Sequence, residues 1–189
     1  MSKVLAFAGS LRRESFNRRA LRIAVEGVRA AGAEVTVLEL ADLPLPLFDQ
    51  DAETHDGLHP NARKLKDLMI AHQGFLIACP EYNGSITPLQ KNAIDWASRP
   101  VAGESGQLPF RNKIVGLVSA SAGALGGLRS LRHVREILNV LGCVVLPEQY
   151  ALSRADSAFD EQGNARDDKA RQALQNVGAR IASVASNWK

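Results

Sequence analysis

Short apolar runs alternate with longer amphipathic stretches along this 189-residue chain, and this alternation restricts its fold more than any other feature. The apolar runs have the length of buried strands, whereas the stretches between them carry apolar residues at helical spacing. The predicted strands are residues 4–8, 35–38, 74–79, 114–118 and 143–146. Strands separated by helices form a parallel sheet that is covered on both faces. The pattern therefore predicts an α/β fold, and the length suits a single domain over residues 1–189.

Helices are predicted between these strands and at the C-terminal end, at residues 17–32, 62–69, 88–98, 128–141 and 170–188. Two segments rich in Pro, Gly and polar residues, 42–60 and 100–112, are predicted as long loops. The apolar seam of the last helix fits either a coiled coil or packing on a sheet, and its shortness favours the sheet.

The charge pattern argues against nucleic-acid and membrane partners. The net charge is +3, but no dense basic stripe is interleaved with aromatic residues as in nucleic-acid-binding proteins. The arginines of the first predicted helix are interpreted as a solvated face: Arg18, Arg19, Arg22 and Arg29. No apolar stretch approaches the roughly 20 residues that span a bilayer. The N-terminal apolar run is interrupted too early for a signal peptide, so we expect a cytoplasmic protein.

The two cysteines, Cys79 and Cys143, lie far apart, each inside an apolar run and in neither a zinc-binding nor a redox spacing. We expect both to be buried and reduced, in the role of small apolar side chains. No metal site is predicted.

The loop after the first strand has the composition of a phosphate-binding loop. Gly9 ends the apolar run, and the polar segment 10–17 leads into a helix. Free backbone N–H groups and the positive end of the helix dipole favour an anion at such a position. Ser10, Ser15 and Asn17 offer side-chain donors, and Arg12 offers a charged fork. The alternative is an ordinary Ser-capped helix start, since the loop matches neither the Rossmann nor the Walker A pattern.

Ligands of parallel α/β sheets bind beyond the carboxyl ends of the strands, so the loops after strands one, three and four should converge. The loop after the third strand, 80–88, carries Tyr82, Asn83 and a turn-forming Gly84. Its backbone N–H groups would suit the carbonyls of a planar heteroaromatic ring. The loop after the fourth strand, 119–127, is rich in small residues and admits a flat ligand, although a flexible linker would look the same.

Three motifs together resemble the NADPH-dependent FMN reductase family, the flavodoxin-like group that includes bacterial quinone, chromate and azo-dye reductases. They are the loop Gly9-Ser10-Leu11-Arg12 with Ser15 and Asn17, the segment Pro80-Glu81-Tyr82-Asn83, and the run 89–96. The resemblance extends to about Leu146. It implies a three-layer flavodoxin-like sandwich whose five-stranded parallel sheet has the order 2-1-3-4-5.

The resemblance also implies which residues bind FMN. The phosphate would be held by Ser10, Arg12, Ser15, Phe16 and Asn17. The isoalloxazine ring and the ribityl chain would lie along Pro80, Glu81, Tyr82, Asn83, Gly84, Ser121 and Gly123. In several relatives a bulkier residue occupies the position of Gly84. The resemblance therefore does not decide how tightly the outer face of the ring is covered in this chain. Asp95, also part of the family pattern, is interpreted as a local hydrogen-bond partner.

With FMN as the redox group, the implied reaction is ping-pong transfer of a hydride from NADPH or NADH to FMN and then to an acceptor. Quinones, azo compounds, free flavins and metal oxyanions are the acceptor classes considered. No catalytic side chain is required, and the four histidines (His55, His59, His72 and His133) are expected to lie away from the site loops. The alternative is a flavodoxin-type electron carrier that binds FMN but has no nicotinamide site.

The apolar run Leu43–Phe48 lies in the predicted loop 42–60. An exposed apolar run at a site rim favours contact with a partner subunit, so a homodimer or homotetramer is expected. The alternative is that this run folds back over its own sheet.

Overall fold

A computed structural model of the chain describes residues 1–188 and contains, within them, one five-stranded parallel sheet. The strands are β1 (Lys3–Ala8), β2 (Glu34–Leu38), β3 (Gly74–Ala78), β4 (Ile114–Ala120) and β5 (Val144–Leu152). Their order is β2-β1-β3-β4-β5, and each adjacent pair is parallel. The predicted three-layer flavodoxin-like architecture is therefore confirmed.

The described helices are α1 (Phe16–Ala30), α2 (Gln50–Asp56), α3 (Pro60–Ala71), α4 (Pro88–Ala97), α5 (Leu128–Val140), α6 (Ala155–Ala158) and α7 (Asp168–Asn187). Helices α1 and α7 cover one face of the sheet, and α3, α4 and α5 cover the other. Alternate residues of β1 divide between the two cores, since Val4 and Ala6 face α1 and α7 while Leu5 and Phe7 face the opposite layer. Within residues 1–188, every helix is too short or too polar to span a bilayer.

Helices α1 and α7 pack unusually close because each presents a glycine to the other. A Cβ on Gly27 would lie 1.9 Å from the carbonyl oxygen of Gln175, and one on Gly178 would lie 2.0 Å from that of Ala24. Both distances are far below van der Waals contact. Helix α7 is thus fixed against α1 and the sheet. This confirms the prediction that its short apolar seam packs on the sheet and does not form a coiled coil.

The prediction that 42–60 is a long loop is wrong in part, because α2 lies inside it, preceded by a 3-10 turn at Leu40–Asp42. The Asp49 carboxylate caps α2 by accepting from the N–H of Asp51 (2.8 Å), and Glu53 pairs with Arg99 (2.8 Å). Helix α2 has no buried residue, so it carries no apolar periodicity to detect.

Strand β5 is longer than predicted: it continues past residue 146 and ends at Leu152. The pairing of β4 with β5 shifts between Val115 and Leu117, and the shift accommodates Pro147 on this edge strand. The proline and the polar residues after it mask the continuation of the strand. The short helix α6 also escaped prediction.

Candidate functional site

The loops after β1 and β3 are joined at the carboxyl edge of the sheet. The N–H of Gly9 donates to the carbonyl of Ala78 (2.9 Å), and the Thr87 hydroxyl donates to the carbonyl of Gly9 (2.8 Å). Beneath them, the N–H of Cys79 donates to the carbonyl of Val118 on β4 (2.8 Å). These bonds bring the ends of three central strands together, as the sheet order requires.

The loop after β1 ends in a capped helix start. Ser15 is the N-cap of α1, only 4% exposed, and its hydroxyl accepts from the N–H of Arg18 at 3.4 Å. The first-turn N–H groups of Phe16 and Asn17 have no protein acceptor within residues 1–188, and the same holds for Ser10 and Leu11 in the loop. Unpaired donors in front of a helix N-terminus form an anion-binding site.

Asn17 has a different role from the one expected of its side chain. Its amide nitrogen donates to the carbonyl of Ala120 (2.8 Å), and its amide oxygen accepts from the N–H of Ala120 (3.0 Å). Both groups are buried. The side chain therefore fastens α1 to the end of β4, and only the backbone N–H of Asn17 is directed to the loop.

Arg12 is exposed, and no carboxylate within the described residues 1–188 pairs with it. Two arginines in the first turn of α1 differ in this respect. Arg18 pairs with Glu39 (2.8 Å), and Arg19 pairs with Glu14 (2.5 Å). These pairs agree with the predicted solvated face of α1. They leave Arg12 as a loop cation whose charge is available to a bound anion.

The loop after β3 contains a tight two-residue turn. Tyr82 and Ser85 exchange both backbone hydrogen bonds, each 3.0 Å long. Asn83 and Gly84 have φ of 51° and 82°, and positive φ at both central residues is the requirement of a type I′ turn. The predicted positive φ of Gly84 is confirmed. At the sheet edge, the turn leaves Asn83 exposed and Tyr82 half-exposed.

Glu81 lies at the start of this loop, where its carboxylate is held by α5. It accepts from the backbone N–H of Arg129 (3.1 Å) and from that residue's Nε (2.6 Å), and its side chain is 8% exposed. An anion at a helix N-terminus is stabilised by the unpaired N–H groups there. The Glu81 side chain thus fixes the loop to α5. Only the backbone of Glu81 is left to contact a ligand ring.

His133 is a residue that the sequence analysis misplaced. Its Nδ1 lies 2.9 Å from the hydroxyl of Ser85, so the expectation that every histidine lies away from the site loops is wrong. The residue lies four positions after Arg129 on α5, on the same helical face. The four-residue spacing of Arg129 and His133 is the sequence signal that could have placed His133 near the site, because both side chains contact the loop after β3.

The loop after β4 is held by hydrogen bonds and is not a free linker. The Ser119 hydroxyl donates to the carbonyl of Gly126 (2.7 Å), and the N–H of Ser121 donates to the carbonyl of Leu152 (3.1 Å). The Ser121 hydroxyl accepts from the N–H of Gly123 (3.2 Å). Ser121 and Gly123 therefore lie at the same sheet edge as the other two loops, in a fixed conformation.

Gln90 lies beneath the start of the loop after β1, and the sequence analysis missed it. It is fully buried, its amide nitrogen donates to Cys79 Sγ (3.2 Å), and its Oε1 has no partner within the described residues. A Cβ on Gly9 would lie 2.6 Å from that oxygen. A side chain at the point where the chain leaves β1 would therefore have to displace the buried amide of Gln90.

Both cysteines are buried, as predicted. Burial raises the pKa of the Cys79 thiol and that of the Cys143 thiol from 9.0 to about 12. Each thiol is thus protonated at neutral pH, which makes both inert as nucleophiles.

The segment Leu43–Phe48 folds back over α4, which was the alternative to a subunit contact. Trp96 Nε1 donates to the carbonyl of Pro46 (2.8 Å), and the Phe48 ring packs edge-on against Trp96 at 5.1 Å between centroids. Leu47 still points outward and is 82% exposed. Asp95 pairs with Lys91 one turn earlier (2.6 Å), in agreement with its predicted local role.

Residues 2–157 match the sequence model of the family described as NADPH-dependent FMN reductase. An NAD(P)H-dependent FMN reductase of Pseudomonas aeruginosa is 39% identical over 175 residues, which cover 92% of this chain and 89% of that protein. A quinone reductase of Pseudomonas putida is 36% identical, with 97% and 96% covered.

The fold also matches a solved structure, that of FerB, a flavoenzyme NAD(P)H:(acceptor) oxidoreductase from Paracoccus denitrificans. The TM-score is 0.82 at 25% identity, over 100% of this chain and 99% of that one.

Proposed function

Since the chain belongs to the NADPH-dependent FMN reductase family, we propose that it is an NAD(P)H-dependent oxidoreductase that uses FMN to reduce quinones. The observation that carries the proposal is the loop before α1, with unpaired N–H groups at a helix N-terminus and an unpaired Arg12 beside them. That donor set has the charge and geometry to bind a phosphate monoester.

The phosphate contacts are assigned to backbone groups more than to side chains. Ser10, Phe16 and Asn17 contribute N–H donors, and Arg12 contributes the charge. The Ser15 hydroxyl already accepts from Arg18, but it retains its own proton as a donor. The side chain of Asn17 holds the loop in place through Ala120.

The ring contacts are assigned to the loops after β3 and β4. The N–H groups of Asn83 and Gly84 have no protein acceptor within residues 1–188 and point out from a rigid turn. Pro80, Glu81 and Tyr82 lead into this turn, and the fixed loop with Ser121 and Gly123 follows the neighbouring strand at the same sheet edge. Unpaired backbone donors at a sheet edge suit the carbonyls and ring nitrogens of a flavin.

When bound, FMN supplies the hydride chemistry that links a nicotinamide donor to an acceptor. NAD(P)H delivers two electrons and one proton as a hydride, and solvent delivers the second proton that a quinone needs to become a hydroquinone. The protein binds and orients both rings, and no side chain is assigned as an acid or base. Azo compounds, free flavins and metal oxyanions are further acceptor classes, and NADPH and NADH are both candidate donors.

We propose a single FMN-binding domain over residues 1–189 that assembles as a homodimer or homotetramer in the cytoplasm. Pro44, Pro46 and Leu47 are exposed within one short segment and support a subunit contact, since a contiguous apolar patch gains by burial. Light scattering tests the assembly, and Leu47→Asp should shift the mass toward the monomer. A monomeric mass of the unaltered protein with FMN would rule out assembly.

An anaerobic titration separates the reductase from an electron carrier. NADPH or NADH is added to the FMN-loaded protein, absorbance in the flavin band is followed, and 1,4-benzoquinone is then added in the same cuvette. The proposal predicts that the band bleaches and then returns with one quinone consumed per nicotinamide. Bleaching by dithionite but by neither nicotinamide would identify a carrier instead.

A further inference from the structure

The side chain of Arg129 lies against the turn that is assigned to the flavin ring. A Cβ on Gly84, the second central residue of that turn, would lie 4.0 Å from Arg129 Cδ and 4.0 Å from Arg129 Nε. Both distances are ordinary van der Waals contact. Because position 84 has no side chain, the turn leaves this part of Arg129 uncovered. The flank of the Asn83–Gly84 turn is therefore formed by the stem and the guanidinium of Arg129.

The ion pair of Arg129 with Glu81 leaves part of the guanidinium free. Glu81 accepts from Arg129 Nε (2.6 Å) and contacts Nη2, while Nη1 has no protein acceptor within residues 1–188. The Glu81 side chain is 8% exposed, whereas that of Arg129 is 58% exposed. A guanidinium carries five N–H donors in a fixed fork, so donors remain after this pairing. The pair thus has its negative partner buried and its positive partner open to solvent beside the turn.

Further contacts of α5 hold Arg129 in a fixed position relative to the turn. The Ser130 hydroxyl donates to the carbonyl of Cys79 (2.8 Å), and His133 Nδ1 lies 2.9 Å from Ser85 Oγ. Helix α5 is therefore bonded to both ends of the segment 79–85, and the Glu81 pair lies between them. A cation that is already held in place loses little conformational freedom when it binds an anion.

An acceptor that takes electrons from FMN has to lie against the flavin ring, and so beside the turn to which that ring is assigned. The fork of a guanidinium matches the oxygens of a planar or tetrahedral oxyanion. We propose that Arg129 makes the enzyme selective for quinones that carry a carboxylate or a sulfonate, by binding that group. This inference rests on the proposed function, which places the ring at Asn83 and Gly84. Solvent screens an exposed guanidinium, so the preference should be about three- to tenfold.

Binding is measured first, without turnover, by calorimetric titration of the FMN-loaded full chain with 6-hydroxynaphthalene-2-sulfonate and with 2-naphthol. Neither compound is a quinone, so neither is reduced. We expect the sulfonate to bind about three- to tenfold more tightly at low salt. The difference should shrink in about 1 M NaCl, where the screening length is only about 3 Å. Equal binding of the two compounds at low salt by the unaltered protein would overturn the proposal.

Two substitutions of Gly84 separate charge from shape. Asn and Asp both tolerate positive φ and have nearly the same shape, so they differ mainly in charge. Gly84→Asp places a carboxylate against Arg129 and should abolish or reverse the preference for the sulfonate, whereas Gly84→Asn should retain its sign. The same preference in both variants would contradict an electrostatic role of Arg129.

Arg129→Gln should remove the preference for the sulfonate. The matched control is Arg180→Gln, since Arg180 on α7 forms a similarly exposed pair with Glu148, and this variant should preserve the preference. If Arg129 only supported the loop, Arg129→Gln would weaken the binding of both compounds equally. An unchanged preference in Arg129→Gln would therefore overturn the proposal.

The kinetic arm compares kcat/KM for 1,2-naphthoquinone-4-sulfonate and for 1,2-naphthoquinone within each variant. The two quinones differ in reduction potential, so their ratio is compared between variants. It should fall about three- to tenfold in Arg129→Gln and stay the same in Arg180→Gln. An unchanged ratio in Arg129→Gln, with both quinones still reduced, would overturn the selectivity and leave the reductase intact. If neither NADPH nor NADH supports reduction of either quinone, the reductase is wrong, while the naphthol titration still tests Arg129.

Discussion

Asn17 and Ala120 hold each other by two buried hydrogen bonds, of 2.8 and 3.0 Å, across 103 residues of sequence. One amide side chain satisfies both backbone groups of the last residue of β4. The contact joins the first turn of α1, where the proposed phosphate-binding loop ends, to the loop that carries Ser121. Two of the three site loops are therefore positioned by the side chain of Asn17, which leaves only its backbone N–H for the proposed phosphate contact.

Replacing Asn17 by alanine should destabilise the fold by about 2 kcal/mol or more, because a buried N–H and a buried C=O lose their partners together. The free energy of unfolding in urea measures this cost. Asn176→Ala, at an exposed position of α7, should change it by less than about 0.5 kcal/mol. A similar small change for Asn17→Ala would show that water replaces the two bonds.

Gly9→Ala should be costly because its new Cβ would lie 2.6 Å from Gln90 Oε1. Overpacking of this kind costs about 1–3 kcal/mol. In a Gln90→Ala background the cost should fall by about 1 kcal/mol, since the clashing oxygen is gone. Gly123→Ala is the control, because its Cβ would meet Ser121 Oγ at an ordinary 3.6 Å. Strict additivity of the two changes would mean that Gln90 is not what excludes a side chain at Gly9.

Two turns that both have a positive-φ glycine at their second central position allow the role of Gly84 to be separated from its strain. Gly84 has φ of 82° in the Tyr82–Ser85 turn, and Gly103 has φ of 81° in the Val101–Glu104 turn. Alanine at either position should cost about 1 kcal/mol of stability, measured by urea unfolding. Only Gly84→Ala should also weaken FMN binding in a fluorescence titration. Equal effects of both variants on FMN affinity would show that the Asn83–Gly84 turn is not part of the FMN site.

The thiols of Cys79 and Cys143 should resist alkylation by iodoacetamide in the native protein from pH 7 to pH 9. Burial raises both pKa values to about 12, so the reactive thiolate is scarce throughout this range. In the unfolded chain the pKa returns to an ordinary value, and both thiols should react rapidly as the pH approaches 9. Mass spectrometry counts the alkylated thiols. Rapid alkylation of the folded protein would contradict the burial of these residues.

Local periodicity was sufficient to predict the parallel sheet, and the general position of ligand sites in such sheets indicated which loops form the site. The strand order followed from the resemblance of motifs such as Gly9–Ser15 to the NADPH-dependent FMN reductase family. It did not predict what the motif side chains do. Asn17 and Glu81 look like ligand donors in sequence, but they bond to Ala120 and Arg129, which lie far along the chain. Such pairings arise only when the chain folds, so spacing alone cannot distinguish them from ligand contacts.

The misassigned elements have physical reasons as well. Helix α2 buries no residue and is held by a cap and by Arg99, so no apolar pattern marks it. The end of β5 is an edge strand with a proline at its irregular point, where pairing on one side suffices. His133 lies 48 residues after Ser85 in the sequence and contacts the loop after β3 through it.

The central claim, that the loop before α1 binds the phosphate of FMN, is tested most directly by titrating the flavin-free protein with FMN and with riboflavin, which lacks the phosphate. Fluorescence quenching gives both dissociation constants. We predict that FMN binds at least tenfold more tightly, because a charge-assisted contact contributes about 1.5–3 kcal/mol. Arg12→Ala should weaken FMN binding ten- to a hundredfold and leave riboflavin nearly unaffected, whereas neighbouring Arg13→Ala should preserve both affinities. Equal affinity for FMN and riboflavin in the unaltered protein would contradict the account.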